Sequence, residues 1–125
     1  MLFFLTAIAV LVVFLYLYAK VTPYDDYKLI FDENNLAASI GFGGAILGLS
    51  IPLYSALISS TSYIDFIVWA IVAMFVQLVF AYTVTRKKGK LSFEKHIENG
   101  DIAVGTLMAF LSISIGLLNA GSMSY

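Results

Sequence analysis

The residues of this sequence that could do chemistry are few, and most of them lie in two stripes of small and polar side chains. The later stripe consists of Asp101, Gly105, Ala109, Ser112, Gly116 and Asn119. Its steps of three or four residues place all six on one face of a helix. A shift of 66 residues gives the earlier stripe, Asn35, Ser39, Gly43, Ile46, Ser50 and Leu53. Each stripe therefore begins with an acid or amide and continues through mostly small residues.

Two interpretations of the stripes are open. Small-residue faces allow helices in lipid to approach closely and to form interhelical hydrogen bonds, which makes them packing surfaces. Alternatively, the stripes line a polar path for an ion or small solute, as in an oligomeric channel or transport component. Four helices alone pack too tightly for a wide pore, so the second interpretation requires several copies around an axis. The sequence favours packing.

Three isolated polar residues suggest structural roles. Gln77 lies within an apolar stretch, where a buried amide usually bonds a neighbouring helix. Asp65 is expected to cap a helix start, since free amides and the positive dipole end favour an acid there; a cation-attracting ring in an oligomer is the alternative. His96 lies between Glu94 and Glu98, and we expect an exposed surface histidine, with a pH sensor as the alternative.

Enzyme motifs are absent from the sequence. There is no HExxH, GxSxG, P-loop or dinucleotide-binding pattern. One histidine and no cysteine do not make a conventional zinc site. We therefore predict no catalytic, cofactor-binding or metal-binding residues, and the net charge of −1 gives no indication of nucleic-acid binding.

The elements that position these residues are predicted to be four membrane-spanning helices. Hydrophobic residues make up 61% of the 125 residues and charged residues only 12%, about half the usual share in soluble domains. About 20 apolar residues suffice to cross a bilayer core. We predict an all-α fold with spans at 2–19, 36–59, 64–85 and 102–121. Pro52 cannot bond the Gly48 carbonyl, which predicts a kink in the second span.

Two charged connectors indicate the orientation of the chain. The first elbow (residues 20–35) and the second elbow (residues 86–101) contain all seven Lys and Arg residues. Short basic loops stay in the cytoplasm, so both termini are predicted to be non-cytoplasmic. The second elbow carries a basic run, which can also touch anionic lipid headgroups: Arg86, Lys87, Lys88 and Lys90.

The same 66-residue shift predicts a tandem parallel repeat. It superposes Lys20 on Arg86, and Asn35-Leu36-Ala37 on Asp101-Ile102-Ala103. Each unit, about 1–62 and about 63–125, is then a helical hairpin, and the pair forms a single domain. The apolar pairs Tyr27/Phe31 and Phe93/Ile97 predict a short amphipathic helix at the cytoplasmic interface in each elbow; an ordinary solvated loop is the alternative.

The segments around the starts of spans 2 and 4 carry a family resemblance. Asn34-Asn35-Leu36-Ala37-Ala38-Ser39 and the following glycines, together with Ile97-Glu98-Asn99-Gly100-Asp101-Ile102, resemble the YjfL-like small inner-membrane proteins, a domain of unknown function numbered 350. The step Gly100-Asp101 departs from the expected Gly-Asn. The resemblance implies a bacterial inner membrane and duplicated units, and it implies no activity or cofactor.

Some relatives look associated with phage-shock-type envelope-stress proteins. We accordingly expect a lipid-embedded homo-oligomer with a structural or interaction role, to which a peripheral cytoplasmic protein can bind through the charged elbows.

Overall fold

The fold is all-helical over residues 2–86 and 92–122, the part of the chain that the computed structural model describes. Within that part, four helices are long and apolar enough to cross a membrane. They are α1 (Leu2–Val21), α2 (Leu36–Ser59), α3 (Tyr63–Thr85) and α5 (Ile102–Ser122). A π-helical turn (Lys28–Asp32) precedes α2, and the short α4 (Phe93–Glu98) precedes α5. The predicted all-α, four-span fold is confirmed, with span ends within two residues.

Polar side chains fix the helix starts. Ser62 accepts a hydrogen bond from the Asp65 amide at 3.1 Å, and the Asp65 carboxylate accepts one from the Thr61 amide at 3.1 Å. Together they form a reciprocal capping arrangement, which satisfies amides that a helix start leaves free. Asp65 therefore lies in the first turn of α3, and Ser62, not the acid, is the capping residue. Ser92 caps α4 through the Lys95 amide.

Helices α2 and α5 run parallel and form the centre of the bundle. Helix α3 packs against both of them, and α1 packs against α3 and α2. The buried residues of α3 recur every three or four positions, so they lie on one side of the helix. They are Phe66, Ala70, Ala73, Gln77 and Ala81. Large apolar side chains such as Phe75 and Leu118 are exposed on the outer faces, as a lipid environment permits.

Candidate functional site

Backbone contact between α2 and α5 is the main feature of the interior. A Cβ atom added to Gly105 would lie 2.5 Å from the Ala37 carbonyl oxygen. Farther along, Gly44 contacts the backbone of Ala109, and the Gly116 Cα faces the Gly48 carbonyl oxygen. Any side chain larger than hydrogen at these glycines would push the helices apart. The small residues of α5 therefore lie against α2 along most of the pair.

The face of α2 that meets α5 differs from the stripe expected from the sequence. It is made of Ala37, Gly41, Gly44 and Gly48. A Cβ atom on Gly43 would meet no atom within 4 Å. Ser39 and Ser50 are half-buried, and their hydroxyls donate to carbonyls of their own helix at 2.8 Å. The stripe on α2 thus lies outside the helix pair, because α2 carries small residues on more than one face.

Gln77 links α3 to the centre of this pair. Its side-chain amide is buried and donates to the Ser112 carbonyl oxygen at 3.0 Å. Gly48 provides the space, since a Cβ there would lie 2.7 Å from the Gln77 nitrogen. Pro52 is buried within α2, which continues past it, and it leaves the Gly48 carbonyl without its usual helical donor. That carbonyl faces Gly116, where a weak Cα–H···O contact can form.

The starts of α2 and α5 share one local structure. Asn34 and Gly100, 66 residues apart, both adopt the left-handed conformation, with φ of 52° and 78°. In both places the side chain of the next residue accepts a hydrogen bond from the backbone amide three positions later. The distance is 3.1 Å for Asn35 and 3.4 Å for Asp101. The Asp101 carboxylate also lies 3.0 Å from His96 Nδ1. This pairing gives the half-exposed histidine a partner in the second elbow.

Asn35 also joins the two elbows. Its side-chain nitrogen donates to the Ile97 carbonyl oxygen at 2.6 Å, so the capping residue of α2 is bonded to α4. A cleft of about 330 Å³ opens beside this contact, lined by three residues from each elbow and the first residue of α2 and of α5: Glu33, Asn34, Asn35, Leu36, Glu98, Asn99, Gly100 and Ile102. Within the described ranges, no three His, Cys, Asp or Glu residues are placed to hold a metal ion.

The first elbow contains a buried carboxyl group, that of Asp26. Asp26, 66 residues before the capping residue Ser92, does not cap a helix; Asp25 takes that position instead, accepting from the Lys28 amide at 3.2 Å. Asp26 turns inward, is 1% exposed, and accepts from the Thr22 hydroxyl at 2.7 Å. Burial, more than any other factor, raises the pKa of Asp26 to about 7. Two adjacent aspartates gave no signal for which one would be internal.

Two tyrosines enclose Asp26. The Tyr24 hydroxyl donates to the sulfur of Met108 on α5 at 3.6 Å, which ties the first elbow to the central pair. Burial and then the Asp26 carboxyl raise the pKa of Tyr24, so its hydroxyl stays protonated. The Tyr18 hydroxyl is buried close to both groups and lacks a well-formed hydrogen bond. These side chains form a polar cluster at the elbow end of α1.

The remaining residues singled out from the sequence are Asn119 and the basic run of the second elbow. Asn119 is near the far end of α5, and its side-chain nitrogen is buried with no hydrogen-bond partner among the described residues. Arg86 stacks over the Tyr82 ring at 4.6 Å, as Lys20 does over Tyr16 at 5.4 Å. The rest of the basic run lies outside the described residues: Lys87, Lys88 and Lys90.

Four apolar helices packed through glycine contacts, with charged groups restricted almost entirely to two elbows, define a polytopic α-helical membrane protein. The family model of the domain of unknown function DUF350 matches residues 1–123, and the chain belongs to this family of bacterial inner-membrane proteins.

Among its relatives is the UPF0719 inner membrane protein YjfL of Escherichia coli (strain K12), 35% identical over 98% of this chain and 91% of that protein. The UPF0719 transmembrane protein YshE of Bacillus subtilis (strain 168) is 26% identical, over 97% and 90%. No solved structure matches the chain.

Proposed function

We propose that this protein is an oligomeric structural or interaction component of the bacterial inner membrane, without catalytic activity. The observation that carries the proposal is the face of α2 formed by Ser39, Gly43 and Ser50. This face is not used in packing against α5, and Gly43 borders open space. In lipid, a small-residue face allows a second helix to approach closely. A further copy of the chain is the partner that we assign to it.

The test is to fill the open face without disturbing the bundle. Gly43→Leu adds a side chain where nothing lies within 4 Å, so the single chain should fold normally while assembly is lost. Ala9→Leu, at an exposed position of α1, is the matched control and should leave assembly intact. Native mass spectrometry in mild detergent or lipid nanodiscs measures copy number, and circular dichroism checks helix content.

Two results would contradict the proposal. A wild-type protein that stays a single chain at all concentrations in lipid would refute the oligomer. An assembly that survives Gly43→Leu would refute this face as its interface.

Tandem duplication of a helix–elbow–helix unit, about 1–62 and about 63–125, is part of the proposal. Three pairs of features 66 residues apart support it: the left-handed Asn34 and Gly100, the capping residues Asn35 and Asp101, and the cation–π pairs of Lys20 and Arg86. Such features depend on local backbone and side-chain geometry, so they are more specific than matches between apolar residues.

The elbows are proposed to be cytoplasmic and both termini non-cytoplasmic. The restriction of all seven Lys and Arg residues to the elbows supports this orientation. Phe31, within the π-helical turn, is 74% exposed, which supports an interfacial position for the first elbow. Ile97 is fully buried instead, so α4 would contact headgroups through other residues. A reporter that is active only outside the cytoplasm should be active when it is fused to the carboxyl end of this chain.

A peripheral protein bound at the elbows during envelope stress is the partner proposed from the family resemblance. The cleft between the elbows supports such docking because Glu33 and Glu98 present carboxylates at its walls.

A channel or transport role is the second candidate, and the packing of α5 weighs against it. Ser112 and Gly116, two of the stripe residues of α5, are buried against α2, so no path runs along this face within one bundle. Ser112→Leu should therefore lower stability and leave no conductance to measure in reconstituted bilayers. Conductance altered by Asp101→Ala in an intact oligomer would instead support the channel.

A further inference from the structure

The polar cluster around Asp26 is the feature that the proposed function does not use. The carboxyl group has one hydrogen bond, from Thr22 to Oδ2, and Oδ1 is buried with no partner among the described residues. An ionised carboxylate in such a place would lack most of the hydrogen bonds that water gives it, which is strongly unfavourable. The neutral acid is the form that this environment accommodates.

Among residues 2–86 and 92–122, the charged and titratable groups that act on Asp26 do not include a compensating cation. From α1 the nearby titratable group is Tyr18, and from the elbow itself Tyr24 and Asp25. From α4, Glu94 and Glu98 act on Tyr24. All of these groups are neutral or acidic. The neutral groups do not stabilise the ionised form of Asp26, and the acidic groups disfavour it.

The contacts that hold the first elbow on the bundle surround this carboxyl. Tyr24 bonds Met108 of α5, and the Tyr27 ring lies 5.8 Å from that of Phe42 on α2. Leu29 is buried, and its carbonyl oxygen accepts from the Asn35 amide at 2.7 Å. Opening the elbow would expose Asp26 to water and allow it to ionise.

We propose that Asp26 is a proton-binding site that controls the docking of the first elbow on α2 and α5. The neutral acid keeps the elbow docked, and release of its proton to water loosens it. The proposal concerns an individual bundle and is independent of oligomer formation, although the compartment whose pH is sensed follows from the proposed orientation.

The direction and range of the effect follow from linkage. The carboxyl has a pKa of about 7 when docked and an ordinary value of 3.8 when exposed. Because the docked state holds the proton more tightly, docking is strongest below pH 3.8 and weakens as the pH rises to about 7. The equilibrium constant for opening should increase up to tenfold per pH unit across this window. Above pH 7 both states are ionised and the constant should level off.

The experiment is hydrogen exchange of backbone amides in residues 24–35, measured from pH 5 to pH 8 in lipid nanodiscs and corrected for the intrinsic exchange rate. Wild-type opening should increase by about 50-fold between pH 5 and pH 7. Asp26→Asn is neutral at every pH and should hold opening at the low level that the wild type approaches only below pH 3.8. Asp25→Asn, an adjacent exposed residue whose amide still caps the turn, should keep the wild-type slope.

Thr22→Val provides a second test that does not depend on Asp26→Asn folding normally. It removes the hydrogen bond that favours the ionised carboxylate, so the pH at which opening levels off should rise above 7. A flat wild-type profile, an Asp26→Asn profile with the wild-type slope, or a Thr22→Val profile with an unchanged end point would each overturn the proposal.

Discussion

Replacing Gly48 by alanine is the sharpest test of the backbone contact between α2 and α5. The added Cβ would lie 2.5 Å from the Ser112 carbonyl oxygen and 2.7 Å from the Gln77 side-chain nitrogen, whereas ordinary contact begins at 3.4 Å. The helices must therefore separate locally by about 1 Å, by that difference in contact distance. Overpacking of this kind costs about 1–3 kcal/mol.

Gly43→Ala is the matched control for Gly48→Ala. It is the same chemical change five residues earlier on the same helix, at a position where the new Cβ meets nothing within 4 Å. Both variants gain about 1 kcal/mol from the better helix propensity of alanine, and this gain cancels in their difference. Gly48→Ala should therefore be less stable than Gly43→Ala by about 1–3 kcal/mol.

The assay is reversible unfolding in mixed micelles, with increasing sodium dodecyl sulfate followed by circular dichroism. Both variants are compared at a protein concentration where the chain is a single copy, so that assembly through the Gly43 face does not contribute. Equal stabilities for the two variants would refute the inference that the backbones touch at Gly48.

Three further substitutions test the polar contacts. Thr83→Ala is the neutral control, because Thr83 is exposed and its hydroxyl donates to a carbonyl of its own helix. Asn35→Ala removes a helix cap and the bond between the elbows, and should lower unfolding stability by about 1–2 kcal/mol in the same assay. Gln77→Leu loses the bond to the Ser112 carbonyl and should lower it by about 0.6 kcal/mol. Ser62→Ala should cost about 1 kcal/mol and increase hydrogen exchange in the first turn of α3. No change relative to Thr83→Ala would contradict each assignment.

The helices were predictable because the bilayer imposes a simple rule on sequence. Charges end each apolar stretch, and Asn35 and Asp101 mark two helix starts with side chains that can bond free amides. On α5, the predicted stripe includes the residues that lie against the α2 backbone: Gly105, Ala109, Ser112 and Gly116.

The contact face of α2 could not be predicted in the same way. Gly41, Gly44 and Gly48 lie on one face of the helix and Ser39, Gly43 and Ser50 on another, and periodicity does not choose between two small faces. The choice depends on how α5 and Gln77 fit together in three dimensions. The inward turn of Asp26 depends likewise on the π-helical turn that follows, since a shift of one residue decides which aspartate caps and which is buried.

The two tyrosines of α3 lie near its two ends, and the distance between them measures the length of the bundle across the membrane. Tyr63 shares a hydrogen bond of 2.7 Å with the Thr6 hydroxyl at one end, and Tyr82 stacks under Arg86 at the other. Nineteen residues separate the two rings, which at 1.5 Å each is about 29 Å. Helices α1 and α3 are joined by a hydrogen bond at the Tyr63 end. At the opposite end, each of these helices has a basic side chain over a tyrosine ring. The bundle therefore has limited freedom to tilt. A bilayer of lipids with much longer acyl chains would have to become thinner around the protein. The length of the acyl chains should therefore change the stability of the bundle.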